Sequence, residues 1–367
     1  MNISTSGLRD NFRSYIEARR TPARAMDPVV DPAGWLANEL RNVSTWSYEI
    51  TDADAAELQA AVAAFQRSGK PIEAVSLADF PLDAFGETLR DIRRELLDGR
   101  GIVMMRHFPL DALNREETAI AYLGLGCYLG NPMSQNKHGH ILGHVKDLGG
   151  DYADPKTRGY MTNAEMRFHS DGCDYVGLLC LQTSKSGGES RVASSVTVYN
   201  RMLAQRPDLV KALTEDFYRS RTGEINPGEL PYFKQPIFSF AEGYFSAIGV
   251  GAVIDKAQKL PGVPQFTTAQ KEAVELYRHT VDECAVDIGF ERGDIQFLNN
   301  WVMLHTRRGY EDWPEVARKR HLLRLWLNDP NGRPVSLDQR SSRTGKGVQI
   351  AGVKLIAPLD VGEPAEA

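Results

Sequence analysis

The sequence predicts one mixed α/β domain in which a helical N-terminal portion packs on a β-rich core. Helical periodicity dominates the first part of the chain. From about residue 160 onward, short apolar segments alternate with Gly, Asn, Asp and Pro, a pattern typical of strands and turns. No low-complexity linker and no internal repeat divides the 367 residues. We therefore expect a single domain with a mainly helical portion at 1–99, a core with inserted helices at 100–330 and a C-terminal extension at 331–367.

The N-terminal portion contains two helices with clear boundary signals. Residues 50–70 begin with a capping pattern, in which Thr51 or Asp52 precedes an amphipathic run rich in Ala and Leu. Residues 86–101 predict a second helix that ends at Gly99. We expect residues 1–60 to be mainly helical as well.

The core begins with a strand and then returns briefly to helix. Residues 100–108, RGIVMMRHF, form a short apolar run with β-branched residues, which predicts a buried strand. Residues 115–130 predict a helix. Residues 131–152 predict a turn-rich loop around a strand at Ile141–Val145.

The second half of the chain predicts strands that two helices interrupt. Helical patterns occur at 197–216 and 267–285. After Pro330 the chain is polar and rich in glycine, with weak strand potential at 348–358 and a final VGEPAEA that we expect to be frayed. The strand-like segments are 176–183, 189–199, 243–249, 293–300, 301–306 and 321–327.

Composition excludes several classes of protein. The net charge is −5 and the isoelectric point is about 6.0, so no global positive field attracts nucleic acid or an anionic membrane. The sequence contains no apolar run long enough to span a bilayer, and its first residues lack the apolar stretch of a signal peptide. Four cysteines without a C-x-x-C pair predict reduced, mostly buried thiols in a cytoplasmic protein. The oligomeric state is open, and a homo-oligomer is compatible with the sequence.

The triplet His169-Ser170-Asp171 is a candidate metal-binding pair. Two residues separated by one have side chains on the same face of a strand, so both side chains are able to reach one ion. The pattern is short and common by chance, and a metal site needs at least one more ligand. His305, at the end of WVMLHT, is the candidate for that ligand.

A second histidine group lies in the loop before the predicted strand at 141–145. His138, His140 and His144 suggest a second metal site, but a loop that forms part of a lid over a pocket is the favoured interpretation.

The late strand RHLLRLWL carries two arginines on one face. In an extended strand, Arg320, Leu322, Arg324 and Trp326 point to the same side. Arginines on an otherwise apolar strand are costly unless they meet anions. One face of this strand should therefore line a polar cavity.

These residues together resemble a known family. His169-x-Asp171, then His305 far downstream, then Arg320 and Arg324 on a late strand, is similar to the taurine dioxygenase/TfdA-like group of Fe(II)- and 2-oxoglutarate-dependent oxygenases, which includes clavaminate synthase-like enzymes. The resemblance extends over roughly residues 100–330 and includes the segments RGIVMMRHFPLD, SKSGGESRVAS, GDIQFLNN and LHTRRGYED.

The resemblance implies a fold, a cofactor and a reaction. His169 and Asp171 from one strand and His305 from another would hold Fe(II) inside a double-stranded β-helix, or jelly-roll, barrel. The ion's open positions would accept the cosubstrate 2-oxoglutarate and O2. The implied reaction is hydroxylation or another oxidation of a C–H bond, with release of succinate and CO2. Relatives that halogenate have a small residue in place of the carboxylate, so Asp171 favours oxygenation.

The resemblance also implies cosubstrate-binding residues. Arg320 would pair with the distal carboxylate of 2-oxoglutarate, and Ser190 would stand where the family often has a helping Thr. Arg324 would bind an anionic group of a small substrate, such as a carboxylate or sulfonate, or the cosubstrate's other carboxylate. The insertion YEDWPEVA after His305 leaves open that Arg320 and Arg324 exchange these roles.

Two other functions remain open on the residues alone. A zinc-dependent hydrolase would use the same His/Asp/His site, and a cupin-like binding protein would keep the barrel without turnover. Substrate selectivity is expected in loops at 131–163 and 222–236.

The polar residues around the site allow further interpretations. Glu165 and Arg167 either face the pocket or precede the strand. Arg307-Arg308 is interpreted as a solvated loop end, and Cys173 as a buried thiol rather than a ligand. The tryptophans are expected in the core or the pocket wall; they are Trp301, Trp313 and Trp326.

Overall fold

The computed structural model describes residues 20–150, 161–341 and 343–360. Nine α-helices are assigned within these ranges. They are α1 (Asp52–Arg67), α2 (Ala84–Asp98), α3 (Arg115–Cys127), α4 (Ser195–Gln205), α5 (Pro207–Leu213), α6 (Ala252–Ala257), α7 (Thr268–Cys284), α8 (Leu337–Ser341) and α9 (Arg343–Lys346).

The strands are mostly short and lie largely in the second half of the chain, as the sequence predicts. They are β1 (Ser47–Glu49), β2 (Ile102–Arg106), β3 (Asn131–Pro132), β4 (Leu142–Val145), β5 (Tyr175–Gln182), β6 (Ser186–Gly187), β7 (Ser190–Ser194), β8 (Asp216–Ser220), β9 (Tyr232–Pro236), β10 (Phe238–Ala241), β11 (Tyr244–Ala247), β12 (Val286–Ile288), β13 (Ile295–Asn299), β14 (Met303–Arg307), β15 (Tyr310–Glu311) and β16 (His321–Asn328).

The largest sheet has seven strands in the order β1-β2-β13-β5-β16-β3, with β4 also paired to β16. Only the β1–β2 pair is parallel in this sheet. Helices α1, α2 and α3 cover one face, where α2 contacts β2 and β13 and α3 contacts β16. The sheet buries apolar side chains against these helices, including Leu58, Leu89, Leu123, Val103 and Leu325.

A smaller sheet has the order β12-β7-β14 and is antiparallel throughout. Helix α7 packs on β7 and on the helix pair α4 and α5. Within the small sheet, β7 pairs with β14 so that Val192 lies opposite His305 and Ser190 lies opposite Arg307. A cavity between the two sheets is lined by residues of both, because Leu178 and Arg324 come from the large sheet and Ser190 and His305 from the small one. This arrangement places the candidate site in the middle of the domain.

Most predicted helices and strands are confirmed. The first predicted helix begins after Thr51, whose hydroxyl accepts a hydrogen bond from the Asp54 amide, while the Asp54 carboxylate accepts one from the Thr51 amide. The second helix has Gly99 as its C-cap. The mixed, β-rich fold class is therefore correct.

The expectation of a mainly helical start is wrong for the described residues before α1. Only two short 3-10 helices, Ala37–Leu40 and Val43–Thr45, precede strand β1 there. Pro22, Pro28 and Pro32 each restrict the residue before them to extended conformations, which explains the loss of helix. Residues 1–19 lie outside the described part.

Two other boundaries differ from the prediction. The strand predicted at 189–199 ends at Ser194, whose hydroxyl caps helix α4 by accepting a hydrogen bond from the Thr197 amide. The helix predicted at 197–216 is broken before Pro207, because proline has no amide hydrogen to donate and instead begins α5.

The C-terminal segment 348–358 forms no strand. It makes a single parallel bridge, between His140 and Ile356, because it packs on the 131–141 loop rather than on a sheet edge. The final VGEPAEA lies outside the described residues. Among the residues that are described, no helix combines the length and the apolar character needed to cross a membrane.

Candidate metal centre and cosubstrate pocket

Three side chains that can bind a metal converge between the two sheets. The Nε2 atom of His169 lies 3.9 Å from Oδ1 of Asp171, and the Nε2 atom of His305 lies 3.8 Å from Oδ2 of the same carboxylate. The candidate ligand atoms of all three residues lie within 4.8 Å of one another. Within the described ranges, no other group of three His, Cys, Asp or Glu side chains meets this criterion.

The backbone around these residues explains their convergence. His305 lies in β14, and His169 forms a single antiparallel bridge with it through two N–H···O=C hydrogen bonds of 3.0 Å each. The chain then leaves the ladder, and Asp171 sits in an irregular segment before β5. Asn300 holds that segment by accepting a 3.1 Å hydrogen bond from the Asp171 amide. The prediction that His169 and Asp171 share one strand is therefore wrong, although both reach the same point.

Asp171 is held as a charged carboxylate. Arg324 Nη1 lies 3.3 Å from Oδ2, and the indole Nε1 of Trp326 donates a 2.9 Å hydrogen bond to the same oxygen. Burial raises the pKa of a carboxyl group, but the charge of Arg324 and the hydrogen bond from Trp326 outweigh it and hold the pKa of Asp171 at about 2. The carboxylate is thus in the form that binds a cation.

The histidines are also in a ligand-competent form. Burial, followed by the effect of His169, lowers the pKa of His305 to about 3, which keeps the imidazole neutral. The Nδ1 atom of His169 lies 3.0 Å from the Arg167 carbonyl oxygen, which leaves Nε2 for a metal.

The donor set fits iron. The imidazoles of His169 and His305, which line the cavity, and the neighbouring carboxylate of Asp171 form the donor set that binds non-haem Fe(II) and leaves positions open for other ligands. Cys173 is not part of the set, because its Sγ accepts a hydrogen bond from Asn300 and its pKa is raised well above the usual range by burial.

The cavity beside these ligands contains both predicted arginines. As the strand alternation predicts, Arg320, Leu322 and Arg324 line it together. The other lining residues are Val145, Met166, His169, Leu178, Ser190, Phe290, His305, Thr306 and Arg307.

Arg320 is a buried cation that lacks an anionic partner. It is 4% exposed, and its Nη2 donates a 3.2 Å hydrogen bond to the Gly188 carbonyl. Its Nη1 has no hydrogen-bond partner, and no carboxylate of the described residues forms an ion pair with it. Burial, together with the nearby Arg307, lowers the pKa of Arg320 to about 10. A desolvated charge of this kind is costly unless an anion joins it.

Arg324 is bound differently. Its Nε donates a 2.8 Å hydrogen bond to Oε1 of Gln135, and its Nη1 contacts Asp171. Gln135 is in turn fixed by donating to the carbonyl oxygens of Ile141 and Arg324. Sequence reasoning did not identify Gln135, because no motif marks it.

Ser190 lines the same cavity as Arg320. It is buried in β7 and donates a 2.8 Å hydrogen bond to Oε1 of Gln296. Glu165 does not line this cavity, but contacts Arg191 and Arg308.

The interpretation of Arg307-Arg308 as a solvated loop end is wrong for Arg307. Arg307 ends β14, is 6% exposed and lines the cavity. Arg308 is exposed and pairs with Asp287. Alternation with His305 along the strand is the signal that would have placed Arg307 on the inner face.

The other histidines form no metal site among the described residues. His144 Nδ1 lies 2.8 Å from His321 Nε2, on the face of the large sheet away from the cavity, and His144 Nε2 contacts the Pro358 carbonyl. His138 and His140 lie in the loop that packs on the C-terminal segment. The predicted lid falls partly on residues 151–160, which lie outside the described part.

Comparison with known proteins identifies the family. Residues 63–326 match the family described as "Taurine catabolism dioxygenase TauD, TfdA family". The chain belongs to this family. It is 30% identical over 321 residues to FR-33289 synthase of Streptomyces rubellomurinus, covering 84% of this chain and 94% of that protein. It is also 28% identical over 308 residues to the taurine hydroxylase-like protein SAT17 of Stachybotrys chartarum, covering 80% and 78% of the two chains.

Solved structures share the fold of this TauD/TfdA-family chain. Asparagine oxygenase in complex with Fe(II), hydroxyasparagine and succinate is similar with a TM-score of 0.60 at 18% identity, covering 77% of this chain and 93% of that one. The non-haem iron oxygenase OrfP, in complex with Fe and alpha-ketoglutaric acid, is similar with a TM-score of 0.58 at 14% identity. The match covers 83% of this chain and 100% of that one.

Membership of the TauD/TfdA family establishes the reaction class. The protein is an Fe(II)- and 2-oxoglutarate-dependent dioxygenase that oxidises a C–H bond of a small substrate with O2 and releases succinate and CO2. The zinc-hydrolase and cupin-like alternatives are not favoured.

Proposed function

We propose that His169, Asp171 and His305 hold the Fe(II) of this dioxygenase and that Arg320 and Ser190 bind the distal carboxylate of 2-oxoglutarate. The observation that carries the proposal is the buried guanidinium of Arg320, which pairs with no carboxylate of the described residues and lines the same cavity as His169 and His305. Bound iron would supply the redox chemistry with O2. The chain's own residues would bind, orient and desolvate the reactants.

The contacts of Arg320 and Arg324 indicate which of the two binds the distal carboxylate. Arg324 already serves Asp171 and Gln135, whereas Arg320 has no ionic partner among the described residues. A planar guanidinium with a free edge suits bidentate binding of a carboxylate. Ser190 adds a hydroxyl on the opposite sheet. We therefore favour Arg320 for the distal carboxylate and do not favour the exchange of roles.

Asp171 is oriented before any ligand binds. Arg324 and Trp326 both donate to Oδ2, so the carboxylate cannot rotate without losing a charge-assisted bond. We propose that this pair sets the direction of Asp171 toward the two imidazoles.

We also propose that the substrate is a small molecule bearing a carboxylate or a similar anion. Arg324, which Gln135 and Asp171 hold in place, is a cation that lines the cavity and can bind such an anion. The related asparagine oxygenase and OrfP structures hold hydroxylated amino acids, which carry a carboxylate, and this supports the class. A screen of amino acids and other small acids for stimulated succinate formation, with mass analysis of the products, would identify the substrate.

Two further inferences concern the fold and the cellular location. We infer that the large and small sheets form the two walls of a double-stranded β-helix, since the site lies between them. We place the protein in the cytoplasm, since its four cysteines are free thiols.

The decisive experiment measures 2-oxoglutarate binding in the absence of O2. We expect Arg320→Gln to weaken binding of 2-oxoglutarate to the Fe(II) protein by about 10- to 100-fold, the loss typical of a charge-assisted pair. Arg318→Gln is the matched control, because Arg318 is exposed and Glu315 is its ion-pair partner among the residues that the structure describes. An unchanged affinity in Arg320→Gln, with a loss in Arg324→Gln, would show that the two arginines have exchanged roles.

A further inference from the structure

Arg307 is a second buried cation at the same end of the cavity as Arg320. It lies two residues after His305 on the inner face of β14, directly across the strand pair from Ser190. Its side chain is buried, whereas the next residue, Arg308, points outward to Asp287. The two adjacent arginines thus have opposite environments.

Two backbone carbonyls and one aromatic ring contact the guanidinium of Arg307. Its Nη1 donates a 2.9 Å hydrogen bond to the Thr162 carbonyl, and its Nη2 donates to the Ala164 carbonyl. Its Cζ lies 4.6 Å from the centre of the Tyr310 ring. These contacts preorganise the cation, because it need not reorder when a ligand arrives.

Arg307 and Arg320 share one aromatic ring. The Cζ of Arg320 lies 5.2 Å from the centre of the same Tyr310 ring. The repulsion between the two guanidinium groups contributes to the lowered pKa of Arg320. A carboxylate placed at this end of the cavity would relieve that repulsion and would be attracted by both charges.

We propose that Arg307 is an additional recognition residue for the distal carboxylate of 2-oxoglutarate, acting beside Arg320 and Ser190. This inference rests on the proposed function, which assigns that subsite to Arg320. It assigns a role to the second arginine of the LHTRRGYED segment, which the metal and cosubstrate assignments do not use.

The test compares two ligands that differ only at the distal end. The ligands are 2-oxoglutarate and 2-oxopentanoate, a five-carbon 2-oxo acid that has a methyl group where 2-oxoglutarate has its distal carboxylate. Binding to the Fe(II) protein is measured by calorimetry without O2. The ratio of the two affinities isolates recognition of the distal carboxylate from any general loosening of the site.

We expect Arg307→Gln to reduce the preference for 2-oxoglutarate by about tenfold and to leave the affinity for 2-oxopentanoate within about twofold. Arg307→Lys keeps the charge and should recover part of the preference. Arg308→Gln is the matched control, because it removes a neighbouring charge that faces away from the cavity, and its preference should equal that of the wild type. In turnover, Arg307→Gln should raise the KM for 2-oxoglutarate more than it lowers kcat.

Two results would overturn the inference. Equal losses for both ligands in Arg307→Gln, without recovery in Arg307→Lys, would show a purely structural role for Arg307. An unchanged preference in Arg307→Gln, while Arg320→Gln loses it, would remove Arg307 from recognition and leave the proposed function intact. If Arg320→Gln also keeps the full preference, the subsite itself is misassigned and the proposed function fails with the inference.

Discussion

Gly249→Ala tests whether the backbone of His169, a proposed iron ligand, is packed too tightly to accept one methyl group nearby. Gly249 lies against the segment that carries His169, and its amide donates a 3.2 Å hydrogen bond to the hydroxyl of Ser170. A Cβ atom built at Gly249 would lie 2.6 Å from His169 Cα, 2.8 Å from the His169 carbonyl carbon and 2.9 Å from the Ser170 amide nitrogen. Ordinary Cβ contacts begin at 3.4 Å, so the worst contact is about 0.8 Å too short.

The close contacts involve backbone atoms, which cannot shift without disturbing their hydrogen bonds. All three close atoms are backbone, and the His169 backbone is tied to His305 by two hydrogen bonds of 3.0 Å. Overpacking of this kind typically costs about 1–3 kcal/mol of stability. A displacement of His169 by the full 0.8 Å would exceed the roughly 0.5 Å tolerance of a catalytic constellation. We therefore expect a fall of about 100-fold in turnover, as for misplacements near 1 Å.

The assay combines stability, metal binding and turnover. Urea unfolding should show the loss of stability, and titration of the protein with Fe(II) without O2 should show weaker metal binding. Gly289→Ala is the matched control, because a Cβ there meets no atom within 4 Å and its effect should be small. A Gly249→Ala protein with wild-type metal affinity and succinate production would refute the packing argument.

Two further changes test groups around the site. Asp31→Ala removes the carboxylate that accepts a 2.6 Å hydrogen bond from the fully buried Arg333. We expect the free energy of unfolding, measured in urea, to fall by about 3–5 kcal/mol because the charge of Arg333 stays buried without this partner. A fall of less than about 1 kcal/mol would contradict this. Gln135→Met removes the acceptor of the 2.8 Å hydrogen bond from Nε of Arg324. We expect kcat/KM for the substrate to fall roughly tenfold while the affinity for 2-oxoglutarate stays unchanged. The reverse pattern would show that Arg324 binds 2-oxoglutarate.

The parts of the site that the sequence reveals depend on local spacing. His169 and Asp171 are separated by one residue, which makes the pair recognisable although Asp171 lies outside the strand, and Arg320 and Arg324 lie on one face of the predicted strand. His305 is added by its place in the family pattern. These residues come together because the strands that carry them pair across the domain.

The parts that the sequence does not reveal depend on distant partners. Alternation with His305 places Arg307 on the inner face, but the carbonyls of Thr162 and Ala164 that hold its guanidinium lie more than 140 residues away in the sequence. The Asp31–Arg333 pair spans 302 positions and has no local signature. Periodicity cannot anticipate such contacts, because it reports only which neighbours share a face.

The C-terminal extension shows why the chemistry is easier to predict than the substrate. It lies beyond the family match at 63–326, yet its Gly347 amide donates to the Gly172 carbonyl and its Val348 amide donates to the Ser134 carbonyl. Gly172 follows Asp171 and Ser134 precedes Gln135, and both Asp171 and Gln135 contact Arg324. The two backbone hydrogen bonds therefore connect the extension to the segments that carry both partners of Arg324. The proposed metal ligands therefore follow from a short motif and paired strands, whereas the surroundings of the proposed substrate site depend also on loops and on a segment without a motif.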